Sequence, residues 1–335
     1  MTTDFASASQ SALLDAPWTG IIKSARTESR TARQVMVDAG LDWRCVEKKL
    51  VTEDGLAVGS HKAIVRATDD RILGVVTKGY NILQNSESFG FVDSLVDDGH
   101  MTYQGAGTVD DGKSIFIQGR LPEGGEVAPG DTVWPYLAFV NRHDGGGSVV
   151  ACLTSVRIIC QNTQRAAVAQ GKKNNNAICI RHTKSMHDRL EQARTVFGWA
   201  NTNFGEYLKA ARTLVKKNVT SAVALRKFFE NITQAERGDD GLSGRTEKKI
   251  ERLVQLFEEG AGNNMPGVRG TYWAAVNAVT QYIDHESPTS LRGSDYKNMD
   301  DDAKAAATRM KRYESSQLGA GADTKDRAFE LALSA

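Results

Sequence analysis

Between residues 63 and 160 the apolar positions come in short runs: AIVRAT, RILGVVT, MTYQGAGTV, KSIFIQGRL, TVWPYLAFV and SVVACLTSVRIIC. Each is rich in Val, Ile, Thr or aromatic residues. Asp69-Asp70, Asp110-Asp111-Gly112 and Pro129-Gly130-Asp131 separate them. This pattern predicts a mostly antiparallel, twisted sheet. DDGKSIFIQG reads as a hairpin with an Asp-Gly turn, and RHDGGGS as a second hairpin with a longer glycine loop. One helix interrupts the strands, over 85–98. Phe89, Val92, Leu95 and Val96 recur there at helical spacing, with Asn85 or Ser86 as N-cap. Ahead of the strands, TARQVMVDAG predicts a short helix closed by Gly40.

After Cys160 the period changes. QNTQRAAVAQ predicts a helix over 161–171, and NNNAICIRHT a last strand. From Lys184 onward the apolar positions fit amphipathic helices, Leu190 among them. ERGDDGLSG reads as a linker. RTEKKIERLVQLFEEG is a helix with an Ile250, Leu253, Val254, Phe257 stripe ended by Gly260, and TYWAAVNAVTQYIDH is another helix. The expected class is α+β: an N-terminal tail and short helix over 1–40, an antiparallel sheet region over 41–183, and a helical region over 184–335.

Composition adds limits. Among the 335 residues no apolar run reaches the ~18 to 20 residues of a membrane helix, and the first twenty lack the pattern of a signal peptide. Four cysteines in such a chain do not make a disulfide framework, so a reduced, cytoplasmic setting is expected. The net charge of +1 hides an asymmetry: −6 over 1–150, +11 over 151–227 and −4 over 228–335. A basic middle between acidic ends is the distribution of a polyanion-binding protein.

Three chemistries can be weighed on HDGGGSVVACLTSVRIICQNTQRAA. Cys160 at a strand end before a helix would have a lowered thiol pKa. His143, however, starts the glycine loop, and Cys160 lies far down the return strand, so a nucleophilic pair is not favoured over a buried cysteine. Cys179 and His182 have CxxH spacing, with His187 beyond, but no CxxC or HExxH accompanies them, so no metal and no cofactor are expected. The glycine loop is neither a Walker loop nor a dinucleotide fingerprint.

Nucleic acid has more support. Arg157, Arg165, Lys172, Lys173 and Arg181 cluster with the neutral donors Asn162 and Thr163. Such groups suit phosphate and sugar, and aromatics beside a basic groove hold single strands by stacking.

The blocks LGVVTKGYNILQNSESFGFVDSL, VNRHDGGGSV, SVRIICQNT, IRHT, GTYWAAVNAVTQYIDH and LGAGADTKDRAFELAL resemble a family found in phages, prophages and plasmids and defined by a domain of unknown function. The resemblance implies residence near replication or recombination genes, with no catalytic residues to carry over. It adds Tyr80, Gln84, Asn85, His143, Asp144, Gly145 and His182 to the candidate residues. In layout, a short helix, successive antiparallel strands and then a basic helix are similar to single-strand annealing recombinases. These bind single strands in a groove between sheet and helix and form rings or filaments.

The expectation is therefore a protein that binds and anneals single-stranded DNA, self-associates, stays off membranes and makes or breaks no bond. The alternatives are a hydrolase or nucleotide-modifying enzyme using Cys160, His143 or His182, and an inhibitor or adaptor of a host protein.

Overall fold

The computed structural model describes residues 31–97, 101–109, 112–157, 163–165, 177–194, 197–234, 242–289 and 300–335. Helix α1 (Ala32–Asp38) is fixed by a capping box. Thr31 Oγ accepts from the Gln34 N–H, and Gln34 Oε1 accepts from the Thr31 N–H at 3.0 Å. Gly40, at φ +68°, turns the chain out of it.

Two antiparallel sheets follow, where the pattern of runs predicts one. The first holds β1 (Cys45–Val51), β2 (Ala57–Arg66) and β3 (Arg71–Thr77), in the order β1-β2-β3. Helix α2 (Asn85–Asp97) leads to the second. It contains β4 (Thr102–Val109), β5 (Ser114–Arg120), β6 (Gly125–Ala128), β7 (Asp131–Arg142), β8 (Val149–Arg157), β9 (Thr163–Arg165) and β10 (Ala177–Ile180). The main order is β10-β8-β7-β5-β4, with β6 paired to β7 and β9 to β8. The two predicted hairpins are β4–β5 and β7–β8.

Three details differ from the sequence reading. Asn85 is not a cap; it is the first helical residue, and Glu87 Oε2 instead accepts from the N–H of Gln84 at 2.7 Å. Strands β1 and β6 were not anticipated. The segment expected as a helix over 161–171 is extended at Thr163–Arg165, which pairs in register with Thr154–Val156. There the ladder's cross-strand bonds override local helix propensity. The rest of that expectation lies outside the described residues.

The seven-stranded sheet is covered on both faces. Along β5, Ile117 and its partner Phe139 face α2, and Phe139 meets Phe91 at 5.3 Å. Phe116 and Gln118 face the opposite side and meet Tyr313, at 5.2 Å ring to ring and 3.3 Å from hydroxyl to Oε1. Strand β5 is consequently buried at every position from Ser114 to Gly119.

Helices α3 (Met186–Arg194), α4 (Phe197–Val215), α5 (Ala222–Thr233), α6 (Gly244–Glu259), α7 (Tyr272–Gln281), α8 (Asp301–Leu318) and α9 (Ala320–Ser334) complete the chain, with a π-helical turn at Tyr282–Glu286. Helix α6 buries Ile250, Leu253 and Leu256. Trp273, fully buried on α7, donates Nε1–H to Asp131 Oδ2 at 2.8 Å and so ties the helices to the start of β7. The hydrophobic core is continuous from Val35 to Ala332.

The small sheet docks on the glycine loop through Gly74. A Cβ there would lie 2.5 Å from the Asp144 Cα. Gly74→Ala is expected to lower stability by about 1–3 kcal/mol, because Gly74 cannot withdraw without unpairing β3 from β2 and Asp144 is held by Arg142 and the Gly146 N–H. Urea denaturation checks this, and a loss below about 0.5 kcal/mol would show that the contact yields.

Candidate functional site

Several candidate residues converge beneath the glycine loop. Gln84 closes on both backbone groups of Cys45: its Oε1 accepts from the N–H and its Nε2 donates to the C=O, each at 2.9 Å. The side-chain amide thus substitutes for a neighbouring strand at that residue. Asn85 Nδ2 donates to Leu41 O at 2.9 Å and Trp43 O at 3.3 Å, which leaves its Oδ1 facing His143 Nε2 at 2.9 Å. Since that oxygen only accepts, His143 carries its proton on Nε2. Asn141 Nδ2 donates to Leu83 O and Ser88 Oγ. These amides tie the α1–β1 connection, the start of α2 and the end of β7 together.

Tyr80 donates its hydroxyl to Arg142 O and stacks on His182 at 4.5 Å. His182 donates Nδ1–H to Asn81 O at 3.0 Å. Above this layer Asp144 receives Arg142 Nε and Nη2 at 3.1 and 2.7 Å and the Gly146 N–H at 2.8 Å. The Arg142 bonds hold its carboxyl below the ordinary range against the effect of burial. Gly145, at φ +76°, brings the backbone against Val76.

Burial pushes the His143 imidazole down to about 4 from an ordinary value near 6.5, and the neighbouring His182 adds to the shift. The unfolded chain therefore binds a proton that the folded protein refuses between pH 6.5 and 4. Stability should fall as pH is lowered through that window, by about 3 kcal/mol in full. His182 and His285, also lowered by burial, act in the same direction. Denaturant titrations at pH 7 and pH 5 check this; equal midpoints would contradict it.

The candidate residues thus divide by position. Tyr80, Asn85, His143 and His182 are buried, and their side chains face protein. Gly145 is exposed, and Asp144 lies at the rim. Arg181 is exposed and follows Ile180, whose partner is Val149, so it stands at the glycine-loop end of β8. Arg157, Thr163 and Arg165 lie on paired strands, but the description does not extend to their side chains. Asn162, Lys172, Lys173 and Cys160 lie outside the described residues. Among the described residues no three His, Cys, Asp or Glu gather as metal ligands, and no helix is long and apolar enough to cross a membrane.

One cleft adjoins this hub and a second adjoins that cleft, and neither is expected from the sequence. One, of about 720 Å³, lies between the glycine loop and the α8–α9 junction. Arg142, Gly146, Gly147, Ser148, Lys311, Ser315 and Thr324 line it. The other, of about 820 Å³, is lined by Arg245, Lys248, Lys249, Arg252 and Tyr282. These four cations follow i, i+3, i+4, i+7 spacing on α6, so they form one face of the helix, flanking its Ile250–Leu253–Leu256 stripe. Arg252 is neutralised by Glu286, at 2.6 and 2.7 Å. Arg245, Lys248 and Lys249 have no carboxylate partner among the described residues. Lys249 is half-buried, lies 5.5 Å over the Tyr282 ring, and has its pKa lowered by desolvation and by the like charge of Arg327. A desolvated cation beside another cation is an unfavourable arrangement that a bound anion relieves.

The family model described as "Domain of unknown function (DUF932)" matches residues 72–316. No curated protein and no solved structure matches the chain.

Proposed function

The chain belongs to the family of this domain of unknown function, and we propose that it binds single-stranded nucleic acid and promotes annealing, as a phage- or plasmid-borne protein of recombination or replication that does no bond chemistry. The observation that carries the reading is the cationic face of α6. Arg245, Lys248 and Lys249, which have no carboxylate partner among the described residues, line one cleft there with an aromatic ring. Charge at that spacing follows a phosphate backbone, and a ring beside it accepts any base, so the site favours a flexible strand without sequence choice.

The order α1, three antiparallel strands, α2 supports the annealing part by its layout alone, although α2 carries no basic residue. Self-association belongs to the proposal as well. Strands β1 and β3 are the edges of the small sheet, and Val46, Ile72 and Val75 are exposed on it. Open edges beside apolar side chains favour pairing with a second copy.

A mobility shift with single- and double-stranded probes of one sequence tests the reading, with the mass of the complex measured by light scattering. The single strand should shift at lower protein concentration, in a complex holding more than one copy. If neither probe shifts, the reading fails.

A further inference from the structure

We propose that a strand seated on α6 continues over the π-helical turn into the glycine-loop cleft, where one of its nucleosides is held. This rests on the reading of α6 as the phosphate track.

The two clefts are not separate features. Ile283, Ser287 and Pro288 line both, so the segment that begins with the π turn is the saddle between them. Tyr282, on the same turn, sits on the cationic side. Turns of this kind are frequent at functional sites.

The saddle is pinned from several directions. Asp284 accepts from Lys325 Nζ at 2.9 Å in the interior, Glu286 is clamped by Arg252, and Arg312 Nε donates to Ser287 O at 3.1 Å. A strand crossing such a turn meets a surface already in place and loses less on binding than it would on a loop that must first be ordered.

The clefts also differ in chemistry. On α6, Arg245, Lys248 and Lys249 have no carboxylate partner among the described residues, while Arg252 is paired with Glu286. In the glycine-loop cleft Arg142 is occupied by Asp144, and the lining offers one lysine, Lys311, with the hydroxyls of Ser148, Ser315 and Thr324 among Val140, Val150 and Ile283. Hydroxyls on apolar walls suit a base with its sugar better than a bare phosphate, and the volume lies within the range of small-molecule sites. The phosphates are thus assigned to α6 and a nucleoside to the glycine loop, with the turn between them.

The test is fluorescence anisotropy on the full chain with labelled oligo-dT of about 4 and about 16 nucleotides, the span of single-strand site sizes. The unsubstituted protein is compared with Ser148→Leu/Thr324→Leu and with Lys248→Glu/Lys249→Glu. The long oligomer should bind the unsubstituted protein more tightly than the short one. Ser148→Leu/Thr324→Leu should weaken the long oligomer about tenfold and leave the short one unchanged. That unchanged affinity also reports an intact fold.

If this variant binds both lengths as the unsubstituted protein does, the strand does not enter the glycine-loop cleft. The inference then fails while the reading of α6 stands, provided Lys248→Glu/Lys249→Glu weakens both lengths. If it loses both lengths equally, the two clefts do not divide the strand as proposed, and the inference fails again. If neither oligomer binds the unsubstituted protein, the inference and the reading fall together.

Discussion

Replacing Lys325 with Met is expected to destabilise the protein by about 3–5 kcal/mol. Lys325 Nζ and Asp284 Oδ1 are 2.9 Å apart, and their side chains are 2% and 0% exposed. Their mutual attraction offsets most of the cost of taking two charges out of water. Removing the lysine leaves that cost for the carboxylate with its main compensation gone. Lys325→Met/Asp284→Leu removes both charges and should lie closer to the parent protein than Lys325→Met alone. Denaturant midpoints for the parent, both single variants and the double variant measure the coupling. A single-variant loss below about 1 kcal/mol would show that water or another group reaches Asp284. The consequence extends beyond stability, because Asp284 belongs to the π turn that separates the two clefts.

Reversing two charges on α6, with Lys248→Glu/Lys249→Glu, is expected to weaken binding of a single-stranded oligomer at least ~10-fold at moderate salt and to lower its salt slope by about 1.4, at ~0.7 per lost phosphate contact. The fold should hardly notice. Lys248 is exposed, and Lys249 lies near Arg327, with which a glutamate would be attracted where the lysine is repelled. A melting temperature near the parent's, together with the lost affinity, is the expected pair of results. Unchanged affinity would remove α6 from the site.

Legibility in the sequence varied with how local each cause is. Helix α1 was legible because Thr31, Gln34 and Gly40 act within one turn of its ends. The β7–β8 hairpin was legible from its glycines, and α6 and α7 from their apolar stripes. Strand β1 escaped because CVEKKLV has an open outer side; only Cys45 is buried, so no apolar alternation marks it. Strand β5 does not alternate either, since helices cover both of its faces.

The convergence of Gln84, Asn85, His143 and His182 agrees with their presence in the blocks of the family resemblance. The burial of Asn85, His143 and His182 and the placement of Gln84 were not legible, because they depend on partners 39 to 101 residues away. The cationic face of α6 was written at i, i+3, i+4, i+7 all along. It was lost because charge was averaged over a segment whose net value is −4, and averaging removes the one coordinate, angle about the helix axis, that brings those cations together.

The central claim is that these cations hold a phosphate backbone. It is tested most directly by the affinity of the full chain for single-stranded oligo-dT across a range of salt concentrations. Arg245, Lys248 and Lys249 predict a fall of log affinity with log salt whose slope is about −2, or steeper where further cations take part. Affinity that does not change with salt, or no binding even at low salt, would contradict it.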